Sequence, residues 1–215
     1  MGNTDIVIIG TGLSGFSLVK EIRKLDKEIQ ITMITSDDGV NYSKPMISTG
    51  FSKNKTADDL ALASAEKMEE MLNVKIYSMS TVTKIDKEKQ RVSFSKNSLD
   101  YDKLVIAWGA YTINPPLEGD AADSVHQLND LMDYRSFRND AENKRKVLII
   151  GAGLIGCEYA NDLSYADFDI EVVDPMTTVL SSLLPKEASH AIQSALEDKG
   201  IKFHFGTTVN LSSLQ

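Results

Sequence analysis

The chain has 215 residues, of which 42% are apolar and 25% charged, and its formal net charge is −8. This length accommodates one large domain or two small ones. The negative charge argues against a nucleic-acid-binding protein, whose surface is usually basic, and against attachment to an anionic membrane. No apolar run approaches the ~18 residues that a membrane-spanning helix needs, and the N-terminus lacks the basic segment of a signal peptide. A single cysteine, Cys157, excludes an internal disulfide framework and suits the reducing cytoplasm.

The first half of the chain reads as strand, glycine loop, helix and strand. Residues 6–9 form a short continuous apolar run, which is typical of a strand buried on both faces of a parallel sheet. Leu18, Ile22 and Leu25 recur at helical spacing. The next predictions are a strand over residues 29–34, a long loop over 35–55, a capping box at 56–59 and a helix over 60–72.

Three short strands and a polar turn follow. The strands are predicted over residues 74–77, 81–85 and 91–94, with the turn over 86–89, so this segment is expected to be an antiparallel excursion from the sheet. Residues 104–107 form another buried-strand run, and Pro115-Pro116 marks a stiff connector.

From residue 129 the same order returns. A polar helix is predicted over residues 129–143, strands over 147–150, 170–173 and 201–205, and a helix over 188–196 that ends before Gly200.

Two glycine loops connect strand to helix in these two halves. They are Gly10-Thr11-Gly12-Leu13-Ser14-Gly15 and Gly151-Ala152-Gly153-Leu154-Ile155-Gly156. In such a loop the first glycine permits a tight turn, the second lets a pyrophosphate approach the backbone, and the third lets the helix pack closely on the strand. A glycine-rich turn without a ligand is the alternative for either copy. The strand before and the helix after each loop favour dinucleotide binding by at least one of them.

An acidic residue about 20 positions after such a loop can bind the ribose hydroxyls. Asp174 ends the second predicted strand of the second half, with no arginine nearby to accept the 2′-phosphate of NADP, so this half is predicted to bind NADH. The alternative for Asp174 is a turn residue before Pro175. In the first half, Thr35 and Ser36 stand at the corresponding position, followed by Asp37 and Asp38. Either carboxylate could reach a ribose, or backbone groups could bind it instead.

These patterns predict an α/β protein with two Rossmann-like three-layer dinucleotide-binding units in tandem. The expected division is residues 1–115 and residues 116–215, the first unit carrying the antiparallel excursion and the second being incomplete at its C-terminal end.

Three segments strengthen the pattern: Tyr42-Ser43-Lys44-Pro45-Met46, Ala107-Trp108-Gly109-Ala110 and Gly153-Leu154-Ile155-Gly156-Cys157-Glu158. The first two are more specific than the glycine loops. With the two loops, the three segments make the whole chain resemble the glutathione-reductase-like flavoproteins and, within that superfamily, the rubredoxin–NAD(+) reductase family. The resemblance implies that the first domain binds FAD and the second binds NAD(H).

The resemblance also implies roles for particular residues. Residues 10–15 would hold the FAD pyrophosphate, Thr35 and Ser36 would lie near its ribose, and Val82 would touch the adenine. Lys44, Pro45, Trp108 and Gly109 would lie at the flavin, Glu158 would face the contact between flavin and nicotinamide, and residues 151–156 with Asp174 would hold NADH.

Each of these assignments has a structural alternative. Lys44 could be a solvated loop lysine, Val82 an ordinary strand residue and Trp108 a core residue. Glu158 could be a carboxylate stabilised by the start of a helix. Cys157 is most simply a small buried residue. No residue is assigned a catalytic role, and no metal site is predicted.

The function implied by the resemblance is transfer of electrons from NADH through FAD to rubredoxin, supplying alkane hydroxylation in the cytoplasm. Two alternatives stay open: reduction of another acceptor such as flavorubredoxin or ferredoxin, and a non-catalytic NADH-binding module that senses redox state. Because the family continues for about as many residues again, we expect the chain to be a fragment that holds FAD weakly or not at all by itself.

Overall fold

The structure is a computed structural model that describes residues 3–113, 117 and 119–209. The chain divides into two compact units, Met1–Ser43 with Ala61–Tyr111 and Lys44–Leu60 with Thr112–Gln215. The predicted boundary between residues 115 and 116, like the connector Pro115-Pro116, lies outside the described residues, and the division by cofactor stays a prediction. One difference from that division is that residues 44–60, expected in the first domain, pack within the second unit.

The first unit is built around a six-stranded mixed sheet. Its elements in chain order are β1 (Asn3–Ile9), α1 (Leu13–Leu25), β2 (Ile31–Ile34), β3 (Asn41–Tyr42), β4 (Ala61–Ala63), α2 (Ala65–Leu72), β5 (Lys75–Tyr77), β6 (Val82–Asp86), β7 (Arg91–Phe94) and β8 (Asn97–Ile106). The sheet order is β5-β2-β1-β8-β7-β6. The first four strands are parallel, whereas β7 and β6 continue the sheet antiparallel, which confirms the predicted excursion.

The central strand of this unit, β1, is buried on both faces. Val7 and Ile8 are each 0% exposed. They point to opposite sides of the sheet, since Ile8 packs in one core cluster with residues of α1 and α2 and Val7 packs in another with residues of β7. This explains why β1 is a continuous apolar run in the sequence rather than an alternating one.

The prediction of a single helix over residues 60–72 is wrong at residues 61–64. Thr56 and Asp59 do form the expected capping hydrogen bonds, but the helical turn that they start covers only Ala57–Leu60. Residues 61–63 then form β4, which pairs antiparallel with β3 inside the predicted long loop. Ser64 begins α2 by accepting a hydrogen bond from the backbone N–H of Lys67. Ser64 is therefore a second N-cap soon after Thr56 and marks where a new helix begins. The apolar residues keep helical spacing across this point, so the sequence pattern predicted one continuous helix.

Strand β8 is longer than the predicted run over residues 104–107. It begins at Asn97 because its first part pairs antiparallel with β7, and it ends at Ile106 after pairing in parallel with β1. The two halves of one strand therefore belong to the excursion and to the parallel sheet.

The second unit carries a three-stranded parallel sheet. Its elements in chain order are a 3₁₀ helix (Lys44–Thr49), the turn Ala57–Leu60, a second 3₁₀ helix (Ala122–Ser124), α3 (Leu131–Ala141), β9 (Lys146–Ile150), α4 (Leu154–Leu163), β10 (Asp169–Asp174), α5 (Lys186–Glu197) and β11 (Lys202–Phe205). The strand order is β11-β10-β9. Gly200 follows α5 with φ of +86°, the left-handed conformation expected of a glycine cap.

One strand of this unit is less buried than its sequence suggests. β9 is a continuous apolar run like β1, but Leu148 is 48% and Ile150 37% exposed. β9 lies at the edge of its sheet, and the core cluster of the unit includes Val147 and Ile149 from the opposite side of the strand. Within the described part of the chain, no helix is long and apolar enough to cross a lipid bilayer.

Candidate functional site

The first glycine loop joins β1 to α1, and two of its glycines are required by the protein itself. Gly10 has φ of +108°, and a Cβ there would lie 2.3 Å from the carbonyl oxygen of Ala107. A Cβ on Gly15 would lie 2.1 Å from the carbonyl oxygen of Gly10. The first glycine thus allows the turn and the last allows α1 to sit against the loop.

Gly12 is different because nothing in the described protein requires it to be glycine. Its backbone is extended, with φ of −68°, and a Cβ added at this position would have no heavy atom within 4 Å. It is the N-cap of α1, yet it provides no side-chain cap, and the first turn of the helix has no acidic residue. The exposed N-terminus of α1 therefore presents N–H groups that no described residue accepts from, beside a position without a side chain, which suits a pyrophosphate.

The residues between the glycines of this loop differ in their exposure to solvent. Thr11 is 3% exposed and donates a hydrogen bond from its hydroxyl to Asp37 Oδ1 at 3.3 Å. Leu13 is 82% exposed, and Ser14 is also exposed. A ligand at the start of α1 would meet Leu13 and Ser14 rather than Thr11.

The second loop, between β9 and α4, repeats this geometry. Gly151 has φ of +109°, and a Cβ on Gly156 would lie 1.9 Å from the Gly151 carbonyl oxygen. Gly153, with φ of −75°, is again an N-cap without a side-chain hydrogen bond, and no heavy atom of the described chain lies within 4 Å of a Cβ added there. Leu154 and Ile155 are 52% and 56% exposed. The second unit thus offers the same open, uncapped helix start.

Asp174 ends β10 and holds the glycine loop. One carboxylate oxygen, Oδ2, accepts a hydrogen bond from the backbone N–H of Ala152 at 2.6 Å, and Oδ1 accepts one from Met176 at 2.7 Å. Asp174 therefore shapes the turn and also lies beside the loop, and its role in NADH binding stays a prediction. Its remaining lone pairs are acceptors for a hydroxyl.

The first unit places a different carboxylate at this position. Thr35 follows β2, is 6% exposed and donates its hydroxyl hydrogen bond to Asp37 Oδ1 at 2.7 Å. Asp37 thus binds both Thr35 and the loop residue Thr11, as Asp174 binds Ala152. Ser36 is exposed and its hydroxyl lies 3.2 Å from the Tyr111 hydroxyl.

The other predicted residues of the first unit lie near the same end of the sheet. The amide of Ala107 donates to Ile9 at 2.8 Å, so Trp108 and Gly109 follow β8 beside the first glycine loop. Trp108 is 57% exposed among the described residues, so it is not part of the core of this unit. Val82 begins β6 and packs, half-buried, against the core cluster that includes Ile9.

Lys44, Pro45 and Glu158 all belong to the second unit. Lys44 and Pro45 begin the 3₁₀ helix Lys44–Thr49, and Lys44 Nζ donates to Asn129 Oδ1 at 2.8 Å. Glu158 lies on the first turns of α4, and its Oε2 accepts a hydrogen bond from the Ser48 hydroxyl at 2.9 Å. The sequence interpretation missed Ser48 and Asn129 because each is far along the chain from its partner.

Cys157 is a buried thiol with no metal cluster around it among the described residues. It is 7% exposed, and its Sγ donates to the carbonyl oxygen of Ala152 at 3.4 Å. Burial, together with the nearby charge of Asp174, raises the pKa of Cys157 to about 11. In the part of the chain that the structure describes, no group of three or more His, Cys, Asp and Glu side chains could hold a metal ion.

Comparison with known proteins agrees with this geometry. Residues 4–213 match the model of the family described as pyridine nucleotide-disulphide oxidoreductase. The chain is 56% identical over 201 residues to the rubredoxin-NAD(+) reductase of Alcanivorax borkumensis, covering 94% of this chain and 53% of that protein. It is 37% identical over 204 residues to the nitric oxide reductase FlRd-NAD(+) reductase of Vibrio vulnificus, covering 95% and 53%.

A solved structure gives the same result. The NADH:rubredoxin oxidoreductase of Clostridium acetobutylicum superposes with a TM-score of 0.82 at 28% identity, covering 96% of this chain and 53% of that one. The chain thus spans about half the length of the proteins that it matches. The family model, which covers nearly all of the sequence, and the two glycine loops show that the chain belongs to the pyridine nucleotide-disulphide oxidoreductase family.

Proposed function

We propose that this chain is the nucleotide-binding part of an FAD-dependent reductase that oxidises NADH and passes the electrons to rubredoxin. The observation that carries the proposal is the pair of glycine loops, because Gly12 and Gly153 are glycine at positions where the described protein leaves room for a side chain. A ligand that must approach the backbone explains both glycines. The 56% identity to the rubredoxin-NAD(+) reductase of Alcanivorax borkumensis supports rubredoxin as the acceptor.

In this proposal the first unit binds the adenosine and pyrophosphate of FAD. The uncapped N–H groups of α1 and the hydroxyl of Ser14 bind the pyrophosphate oxygens. Ser36 and Asp37 supply a hydroxyl and a carboxylate for the ribose, with Thr35 fixing Asp37 from behind. Val82 contacts the adenine through its backbone, and exposed Trp108 with Gly109 borders the flavin.

The second unit binds NADH in the same way. The start of α4, with Gly153 at its N-cap, binds the pyrophosphate, and Asp174 accepts a hydrogen bond from the ribose 2′-hydroxyl. A carboxylate at that position repels a 2′-phosphate, which favours NADH over NADPH. Lys44 and Pro45 lie at the flavin, and Glu158 borders the nicotinamide.

The FAD held by these residues would supply the redox chemistry, namely hydride acceptance from NADH and single-electron transfer to the acceptor. The residues of this chain orient the two nucleotides and set the charge around them. Lys44 provides a cation that favours a reduced, negatively charged flavin. Supply of electrons for alkane hydroxylation in the cytoplasm is the process we propose for the whole protein.

A second candidate is reduction of flavorubredoxin. It is favoured by the 37% identity to the nitric oxide reductase FlRd-NAD(+) reductase of Vibrio vulnificus. The two candidates share every step up to the acceptor, and the described residues provide no acceptor-specific contact that separates them.

The first test is the visible spectrum of the purified protein that carries this chain, recorded before and after anaerobic addition of NADH. We expect a flavin spectrum that bleaches with NADH and, at equal concentration, much less with NADPH. A protein that binds NADH but neither carries nor takes up FAD would instead support a non-catalytic NADH-binding module. Turnover with purified rubredoxin, flavorubredoxin and ferredoxin then identifies the acceptor, and equal rates with all three would contradict the rubredoxin assignment.

A further inference from the structure

Asp162 is a buried acid that has no role in nucleotide binding in the proposed function. It lies on α4 and is 1% exposed. Its carboxylate accepts two consecutive backbone hydrogen bonds, from Phe51 at 2.9 Å and from Ser52 at 2.8 Å. A buried carboxylate is costly unless it is hydrogen-bonded, so these two N–H groups are what makes Asp162 tolerable in the core of this unit.

Asp162 and Glu158 lie one helical turn apart and face the same segment. Side chains four residues apart share one face of a helix. Ser48 donates to Glu158 at 2.9 Å, and Phe51 and Ser52 donate to Asp162, so residues 48–52 run along α4 with one hydrogen-bonded contact at each turn. Residues 48–52 are thus attached to α4 at two places. We call the hydrogen bonds to Asp162 the lower attachment and the hydrogen bond to Glu158 the upper attachment.

This attachment is continuous with the segment that begins at Lys44. The 3₁₀ helix Lys44–Thr49 ends two residues before Phe51, so fixing Phe51 and Ser52 limits where that short helix can lie. Its first residue, Lys44, donates to Asn129 at 2.8 Å. The backbone near the lower attachment is also closely packed, because a Cβ on Gly50 would lie 2.1 Å from the Tyr134 hydroxyl oxygen.

We propose that Asp162 is a positioning residue that holds residues 44–52 on α4 and thereby sets the places of Lys44 and Glu158 at the flavin and nicotinamide. This inference rests on the proposed function. Asp162 itself touches neither nucleotide in this scheme and acts only through the backbone of Phe51 and Ser52.

The test uses Asp162→Asn in the FAD-loaded protein that carries this chain. An amide of the same size accepts at only one atom, so one of the two backbone N–H groups loses its partner. We expect amide hydrogen exchange to accelerate by about tenfold or more within residues 44–52 and to stay unchanged in α5. Flavin reduction at saturating NADH should slow by about tenfold, whereas reduction by dithionite, which bypasses the nicotinamide, should keep its rate.

Two further variants make the result specific. Asp169→Asn changes an exposed acid at the start of β10 in the same unit and should leave the exchange of residues 44–52 and the flavin reduction rate unchanged. Ser48→Ala removes the upper attachment without disturbing the buried carboxylate. As a single substitution it should slow the reduction of the flavin by NADH. In the Asp162→Asn background its effect should be smaller than in the wild type, because the same segment is already loosened there.

Two results would overturn the inference. One is faster exchange in Asp162→Asn with an unchanged rate of flavin reduction, which would make Asp162 merely structural. The other is a wild-type reduction rate in Ser48→Ala, a result that counts even if Asp162→Asn fails to fold. A wild-type flavin that NADH does not reduce would instead contradict the proposed function, and hydrogen exchange would then decide alone whether Asp162 holds the segment.

Discussion

Individual glycines in the second loop have different physical reasons to be glycine. Gly156 packs against the backbone of its own loop, whereas Gly153 borders open space among the described residues. Gly153→Ala should therefore leave the melting temperature nearly unchanged and weaken NADH binding by about tenfold or more, because the new methyl group occupies the path of the pyrophosphate. Equilibrium titration with NADH and a thermal melt measure both effects.

Gly156→Ala is the matched control for that variant. Its Cβ would lie 1.9 Å from the Gly151 carbonyl oxygen, so helix and loop must separate. We expect a loss of about 1–3 kcal/mol in the free energy of unfolding, typical of overpacking. Equal thermal stability of the two variants would contradict this interpretation of the loop.

The carboxylate of Asp174 combines two tasks that a substitution can separate. Asp174→Ala should weaken NADH binding and reduce the preference for NADH over NADPH, because the group that binds the 2′-hydroxyl and repels the 2′-phosphate is gone. NADPH should not gain the affinity that NADH loses, since the Ala152 N–H also loses its acceptor and the loop loosens. Dissociation constants for both nucleotides check this, and an unchanged preference for NADH would contradict the proposal that Asp174 binds the ribose.

The thiol of Cys157 should be inert in the folded protein. Burial, reinforced by the charge of Asp174, raises its pKa to about 11, so only ~0.1% is thiolate at pH 8. Reaction with a thiol reagent should be slow in the native state, rise as the pH approaches 11 and be fast at every alkaline pH after denaturation. If the native thiol reacts as fast at pH 8 as the denatured one, Cys157 must be accessible to solvent on its face of α4.

At the scale of elements, an aromatic cluster holds residues 44–60 to α3 and to the residue before β10, in addition to their attachment to α4 by Asp162. The ring of Phe51 packs edge-on against Tyr134, Phe137 and Phe168 at 5.7–5.8 Å. The Arg138 guanidinium lies 4.8 Å from the centre of the same ring. This cluster explains why the segment belongs to the second unit although its sequence neighbours on both sides belong to the first.

Phe51→Leu should therefore destabilise the second unit. It removes three edge-to-face contacts and one cation–π contact, for an expected loss of about 1–3 kcal/mol in the free energy of unfolding. Phe203→Leu, which removes a single stacked pair with Phe205, should cost less. Chemical denaturation of both variants measures the difference. An equal loss in the free energy of unfolding would contradict the interpretation that Phe51 is the central residue of the cluster.

For the whole molecule, the hydrophobic core is divided between the two units. The clusters around Ile8 and Val7 contain residues of the first unit only, and the cluster around Ile170 contains residues of the second only. Ile8→Ala and Ile170→Ala make the same deletion at sites that are 0% and 3% exposed, each at an expected cost of about 2–5 kcal/mol.

These two variants should have separate effects on amide hydrogen exchange. Ile8→Ala should accelerate exchange mainly in the first unit and Ile170→Ala mainly in the second, because each unit unfolds locally when its own core is weakened. Uniform acceleration over the whole chain by either variant would mean that the two cores unfold as one.

The sequence by itself determined the tandem α/β plan, both glycine loops and the antiparallel excursion. These features depend on local signals: a continuous apolar run for a buried strand, a glycine where φ is positive, and a polar turn between short strands. Asp174 was singled out by its distance from the second glycine loop, and Glu158 by the resemblance to the family; the binding roles of both stay predictions. The prediction of one helix over residues 60–72 was wrong because the helical spacing of apolar residues continues across a new N-cap at Ser64.

The tertiary structure alone decided which unit holds residues 44–60 and which side chains meet there. Asp162 and Phe51 lie 111 positions apart in the chain, as do Glu158 and Ser48 to within one residue. No local propensity encodes such a contact, because it exists only when α4 and the segment pack together and a buried carboxylate needs N–H donors. Pairings of this kind are set by packing and by the cost of leaving a buried charge unsatisfied.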